Sequence, residues 1–225
     1  MTKSRVAQSI LPCWEVNVHN PNHPIDCLGV VLAGGLSSRM GQNKAMLQRN
    51  NISMLNFSKS LLQNCGVNTV VVSGGNVLAQ ENTCGFNAEI IPDVIENAGP
   101  VGGIYSVLQR YNPKALLILP VDLPLMTSKS LNKLRTAGEL SQKASYFDDH
   151  NIPLYLPNNA FLSLFLNKAF NNMLDKGSEP HKKNAPSIKR MLLQMPHQSI
   201  RSTESNTLFN SNTPQQWQEA QKIFN

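Results

Sequence analysis

Apolar residues gather in short runs that end in glycine, proline or aspartate. The run 28–32 (LGVVL) is rich in β-branched residues and is closed by Gly34 and Gly35, the pattern of a strand buried on both faces of a parallel sheet. The run 69–73 (TVVVS) repeats it and ends on Gly74 and Gly75; 89–92 is a third, shorter run, and 115–120 (ALLILP) a fourth. Between these runs the apolar period lengthens. The stretch 44–63 carries Met54, Leu55, Phe57, Leu61 and Leu62 at partly helical spacing, with Gly66 as a stop signal. The stretch 99–110 opens on glycines and continues through Ile104, Val107 and Leu108, and 128–140 reads as a helix capped by Ser128. This alternation predicts an α/β protein with a parallel sheet covered by helices on both faces. After residue 145 the pattern is less regular: a strand over 152–156, a helix over 159–174, an exposed polar loop over 175–186, a short helix over 187–193 and a last helix over 214–224 with Pro214 in its first position. Residues 1–26, crowded with Asn17, Asn20, Pro21, Asn22 and Pro24, read as an irregular extension, which leaves 27–225 as one domain.

Composition narrows this picture. The chain has 225 residues, 41% hydrophobic and 15% charged, enough for a single globular core. The longest apolar runs, such as 115–121, are far shorter than the roughly 20 residues of a membrane span, so no membrane partner is expected. The first segment has no long apolar stretch and does not read as a secretory leader. Cys13, Cys27, Cys65 and Cys84 are scattered without a C-x-x-C pair, which argues against zinc and for reduced thiols in a cytoplasmic protein. The net charge of +6 favours anionic partners such as nucleotides and phosphorylated metabolites. Its cations form no dense tract, so nucleic acid is not expected.

In parallel sheets ligands sit beyond the carboxyl ends of the strands, and that rule selects the candidate chemistry. The first strand runs into Leu32, Ala33, Gly34, Gly35 and Ser37, followed by Arg39 and Lys44. Adjacent glycines let a backbone turn tightly against a phosphate with free N–H groups, and two cations in one loop add charge to it. Gly41 and Lys44 are separated by Gln42 and Asn43, so this is not a P-loop, nor is it G-x-G-x-x-G. Ser73 and Asp93 end the second and third strands. Asp122 follows the fourth, where a carboxylate is costly unless paired or metal-bound; beside a triphosphate its natural role is a Mg²⁺ ligand, and the plain alternative is a turn or cap. Asp93 suits a ribose, a base or Lys44 as its donor, or a turn. Gly99, Pro100, Val101, Gly102 and Gly103 offer a second backbone-rich turn before a helix N-terminus, equally readable as structural. His19 and His23 stand four apart with Pro21 between them and lack the glutamate of H-E-x-x-H, and no G-x-S-x-G is present.

Taken together, Leu32-Ala33-Gly34-Gly35, Ser38-Arg39-Met40-Gly41 and Lys44 resemble the signature loop of the molybdenum cofactor guanylyltransferases. Ile91-Pro92-Asp93 with Gly99 to Gly103, Leu119-Pro120-Val121-Asp122-Leu123-Pro124, and Phe209-Asn210-Ser211-Asn212-Thr213-Pro214 are similar to later blocks of that family, in the same order. The likeness spans about residues 28–222 and departs from the family pattern at Asn43, where Asp is common, and at Ser73, where Asn is. It implies a Rossmann-like three-layer sandwich of the nucleotide-diphospho-sugar transferase type, with a nucleotide-binding half over 27–140 and an acceptor half over 141–225. It implies a Mg²⁺-dependent transfer of GMP from GTP to the terminal phosphate of molybdopterin. Arg39, Lys44 and Asp122 are then catalytic and Asp122 the metal ligand; Leu32, Ala33, Gly34, Gly35, Ser37, Lys44, Ser73, Asp93 and Asp122 bind nucleotide, and Gly102 and Asn212 bind the acceptor. The protein partners so implied are the molybdoenzymes that receive the cofactor, or their chaperones. Where related cytidylyltransferases have A-A-G this chain has Ala33-Gly34-Gly35, and the second glycine leaves more room for a purine. A CTP-dependent enzyme for the same cofactor, a sugar-phosphate nucleotidyltransferase and a non-catalytic nucleotide-binding partner protein are the alternatives.

Overall fold

The computed structural model describes residues 25–34, 43–74, 88–174 and 186–224. Strand β1 (Cys27–Leu32) is followed by a 3-10 turn (Lys44–Met46), a small hairpin of β2 (Gln48–Arg49) and β3 (Ile52–Ser53), helix α1 (Met54–Asn64) and strand β4 (Thr69–Ser73). Then come β5 (Glu89–Ile91), α2 (Gly99–Arg110), β6 (Ala115–Pro120), α3 (Ser128–Ser141), β7 (Ala144–Phe147) and β8 (His150–Pro157). The chain continues through α4 (Ala160–Leu174), α5 (Ile188–Leu192), β9 (His197–Ile200) and α6 (Pro214–Phe224).

Among the described residues the central sheet has seven strands in the order β5-β4-β1-β6-β8-β7-β9. β5, β4, β1 and β6 are parallel neighbours; β8 runs against both β6 and β7, and β9 is parallel to β7. The predicted parallel α/β sheet is therefore present, with a single reversed strand. From β1 the chain builds β4 and β5 on one side and then crosses back to place β6 on the other. The carboxyl ends of β1 and β6 consequently flank the point where the winding reverses, where such sheets leave a crevice.

Alternation within the strands explains the layers. Leu28, Val30 and Leu32 of β1 and Leu116 and Ile118 of β6 enter one core with Ile104 of α2 and Phe165 of α4. Val31 of β1 and Leu117 and Leu119 of β6 enter the other, with Leu61 and Leu62 of α1 and Leu131 and Leu134 of α3. A strand buried on both faces has no polar side, which is why 28–32 and 115–120 read as continuous apolar runs. A smaller cluster of Leu47, Met54 and Trp217, with Phe57 and Phe224 packed on it, ties the region after the 3-10 turn to α6.

Several expectations need correction. The partly helical stretch 44–63 is a 3-10 turn and a hairpin before α1 begins at Met54. Ser53 caps α1, its hydroxyl accepting from Asn56 N, and this local donor fixes the start. The helix does end as expected: Gly66 N donates to Gln63 O and Val67 N to Leu62 O, the Schellman pattern. The cap of α3 is Thr127 and not Ser128; the Thr127 side chain accepts from Ser130 N, so Ser128 is already helical. Strands β7 and β9 had no counterpart in the sequence reading. Most of the predicted polar loop 175–186 and nearly all of the extension lie outside the described residues, although Ile25 O and Asp26 O already accept from Lys114 N and Ala115 N beside the sheet.

Candidate active site

The carboxyl ends of β1 and β4 are drawn unusually close. Ala33 N donates to Ser73 O at 2.9 Å, prolonging the parallel ladder by one bond. Gly74 has φ +124°, and a Cβ there would lie 2.3 Å from Gly34 N. Only glycine fits such a position, which explains why both strands end in glycine. Ser73 is buried, and a Cβ on Gly103 would lie 2.1 Å from its hydroxyl oxygen. Gly103 thus lets α2 approach the end of β4. A Cβ on Gly102 would meet the Ala98 Cβ at 2.5 Å, and Gly102 N is already bonded to Ala98 O. These two glycines serve close packing at the start of α2, the structural reading of that turn. Gly35, Ser37 and Arg39 lie outside the described residues.

Lys44 and Asp122 meet across the switch point although 78 residues separate them. The Lys44 ammonium is 3.5 Å from Asp122 Oδ2, with the two side chains 16% and 20% exposed. It also donates to Asn212 Oδ1 at 2.5 Å, so the residue just before α6 reaches the same point. Asn43 caps the 3-10 turn that presents the lysine, its side chain accepting from Ala45 N at 3.0 Å. A short side-chain oxygen is the requirement there, and Asn meets it as Asp would. Asp122 is fixed through its backbone: its carbonyl accepts from Ser211 N at 2.9 Å and from Ser211 Oγ at 3.3 Å.

The donor set suits a divalent cation. Asp122 Oδ1 is buried and has no hydrogen-bond partner, a costly state that a hard cation relieves. Among the described residues no group of three or more His, Cys, Asp or Glu side chains is assembled. One carboxylate supplemented by phosphate oxygens is a normal Mg²⁺ environment.

Asp93 ends β5, at the sheet's far edge from Asp122, three strand spacings or about 14 Å away. Its Oδ1 is also buried without a partner, and the Lys44 ammonium is turned to Asp122 and Asn212 instead. Burial, and then the Glu96 carboxylate, push its carboxyl above the ordinary value. A buried acceptor oxygen with no internal donor suits a ligand hydroxyl or N–H.

Sequence reasoning passed over Gln216 and Ser211. Gln216 was legible as the last residue of T-x-x-Q (Thr213 to Gln216), a capping box at the start of α6. Ser211 had no such signal, because its partner is the carbonyl of a residue 89 positions away.

The doubly wound sheet is of the NTP transferase fold, and the family match and the curated relative below make the chain a nucleotidyltransferase of that fold. It belongs to the family described as the MobA-like NTP transferase domain, whose model matches residues 29–169. A molybdenum cofactor guanylyltransferase of Xanthomonas euvesicatoria pv. vesicatoria is 32% identical over 190 residues, 84% of this chain and 91% of the relative. Among solved structures, molybdopterin-guanine dinucleotide biosynthesis protein A from Archaeoglobus fulgidus superposes with a TM-score of 0.63 at 19% identity, covering 87% of this chain and 97% of that one. A Mycobacterium tuberculosis protein solved in complex with manganese superposes with a TM-score of 0.52 at 14% identity, covering 88% and 98%. These two likenesses show the shared fold. Among the described residues no helix is long and apolar enough to cross a membrane.

Proposed function

We propose that the protein transfers GMP from GTP to the terminal phosphate of molybdopterin and releases pyrophosphate. The observation that carries this reading is the Lys44–Asp122 pair at the switch point, with Asp122 Oδ1 buried and unpartnered. The guanylyltransferase name of the Xanthomonas relative supports the choice of GTP and of molybdopterin.

The acceptor is a phosphate monoester, largely a dianion near neutral pH because its second pKa is about 6. No strong general base is needed for such an acceptor. An acceptor phosphate oxygen attacks the α-phosphorus of GTP. A new P–O–P link forms, the bond to the bridging oxygen breaks, and pyrophosphate leaves with the electron pair. Catalysis is then positioning and charge neutralisation. The Ala33 N–H is already bonded to Ser73 O, so the loop amides beyond it, to Ser37, together with Arg39 hold the phosphates, and Lys44 stabilises charge growing on the α-phosphate and the leaving group. Asp122 holds Mg²⁺, which when bound neutralises and polarises phosphate oxygens. Ser73 and Asp93 are assigned to the nucleoside and Asn212 to the acceptor, while Gly102, bonded to Ala98 O and packed on its Cβ, keeps only its structural part.

Incubation with molybdopterin, Mg²⁺ and either GTP or CTP tests the assignment. The guanine dinucleotide and pyrophosphate are expected in equal amounts. A higher kcat/KM with CTP overturns the choice of base, and transfer to a sugar phosphate in preference to molybdopterin overturns the acceptor.

A further inference from the structure

Helix α6 begins at the site, and its first turn holds more than its own end. The side-chain oxygen of Gln216 accepts from Asn212 N at 2.8 Å and from Thr213 N at 3.1 Å. Thr213 Oγ1 accepts in return from Gln216 N at 3.2 Å. A capping box needs only the N–H of the capping residue, here Thr213. The additional bond goes to Asn212, the residue whose amide oxygen receives the Lys44 ammonium. From the other side Ser211 N anchors the same short segment to the Asp122 carbonyl. Asn212 is thereby gripped between α6 and the turn that carries the proposed metal ligand.

A lysine side chain has a flexible four-carbon stem and costs substantial rotamer entropy to aim. Lys44 has two acceptors, Asp122 and Asn212. A cation at Asp122 competes for the first. The second is a neutral amide, which orients the ammonium without cancelling its charge and leaves two of its three protons for phosphate oxygens.

We propose that Gln216 is a positioning residue for the transfer reaction: it fixes the Asn212 main chain and so keeps Asn212 Oδ1 on the Lys44 ammonium. The part that concerns turnover rests on the role given to Lys44 in GMP transfer; the contact itself does not.

The test uses the full chain with ¹⁵N-labelled lysine. The Lys44 ammonium signal is assigned by its loss in Lys44→Arg and followed by NMR without nucleotide, beside steady-state GMP transfer and Tm. In Gln216→Ala the Lys44 signal broadens by faster proton exchange, and kcat falls about tenfold with a smaller change in KM for GTP. Gln216→Glu keeps both acceptor contacts and restores the signal, with kcat within about threefold of wild type. Thr213→Ala removes the other half of the box; it lowers Tm much as Gln216→Ala does but keeps the signal. If Gln216→Ala leaves the signal sharp, or both Ala variants lose signal, kcat and Tm in parallel, Gln216 is only a helix cap and the proposal fails. If the wild type makes no guanine dinucleotide while Gln216→Ala still loses the Lys44 signal, the functional reading fails and the lysine contact stands.

Discussion

Lys44 and Asp122 are partners that matter for charge far more than for stability. The pair is 3.5 Å apart and mostly buried, so the cost of desolvating both charges offsets much of its Coulombic gain. Its proposed catalytic worth is larger. Lys44→Ala or Asp122→Ala lowers the rate of GMP transfer by roughly 10²-fold or more, the scale of losing one fixed electrostatic stabiliser, a loss larger than any shift in Tm accounts for. Steady-state rates beside thermal melts check this, and near-normal transfer in both variants removes the mechanism. Asp93 supplies a pH prediction. Its carboxyl is raised in the folded state by burial and by Glu96, so the folded chain keeps that proton where the unfolded chain has released it. The unfolded state binds fewer protons there, and stability from this group falls as pH rises from the ordinary carboxylate value through the raised one. Asp93→Asn therefore raises Tm at pH 7 and gains little at pH 3. An equal gain at both pH values refutes this account of Asp93.

Contacts across elements override local preference in α3. Alanine is about 1 kcal/mol better than glycine inside a helix, so Gly138→Ala looks stabilising from propensity alone. A Cβ there lies 2.0 Å from the Tyr155 ring of β8, and relieving such a clash costs about 1–3 kcal/mol. The clash wins, and Gly138→Ala lowers Tm; a rise would mean that β8 yields easily. The same competition decides which elements were readable. β1, β4 and β6 announce themselves because both faces are buried. β9 (HQSI) alternates between exposed and half-buried positions over four residues and owes its strand character to pairing with β7. The hairpin of β2 and β3 turns through Asn50 and Asn51, both at positive φ, and two-residue strands leave no period to detect. For α3, both Thr127 and Ser128 are good capping residues; which one caps depends on where the backbone turns helical.

The sheet with its two cores is the scaffold on which a ligand acts as one more stabiliser. A nucleotide bound only by the folded chain at about 100 times its Kd adds about 2.7 kcal/mol. At this chain length that raises Tm by roughly 5–10 °C. GTP with Mg²⁺ is expected to give this shift, EDTA to remove most of it, and CTP to give less; an equal shift with CTP argues against purine selection. Within the cores, Phe170 of α4 is fully buried and its ring lies 4.7 Å from that of Tyr105. Phe170→Ala leaves a cavity and costs about 3–5 kcal/mol, read as a lower midpoint in a denaturant titration.

Local chemistry was written in the sequence: the four apolar runs, two of them closed by glycines, the carboxylates Asp93 and Asp122 that follow the other two, the cation Lys44 and the Thr213-Pro214 start of α6 all follow from short-range patterns. Those patterns sufficed for the α/β class and for a family resemblance because each reports burial, turn geometry or charge within a few residues. Which residues meet was decided only by the tertiary structure. The partnership of Lys44 with Asp122 and Asn212 joins positions 78 and 168 residues apart, the strand order sets Asp93 three strands from Asp122, and Gln216 bonds the main chain of Asn212 just before α6. Such contacts depend on how strands are ordered and how helices pack, and a periodicity along the chain carries no information about either.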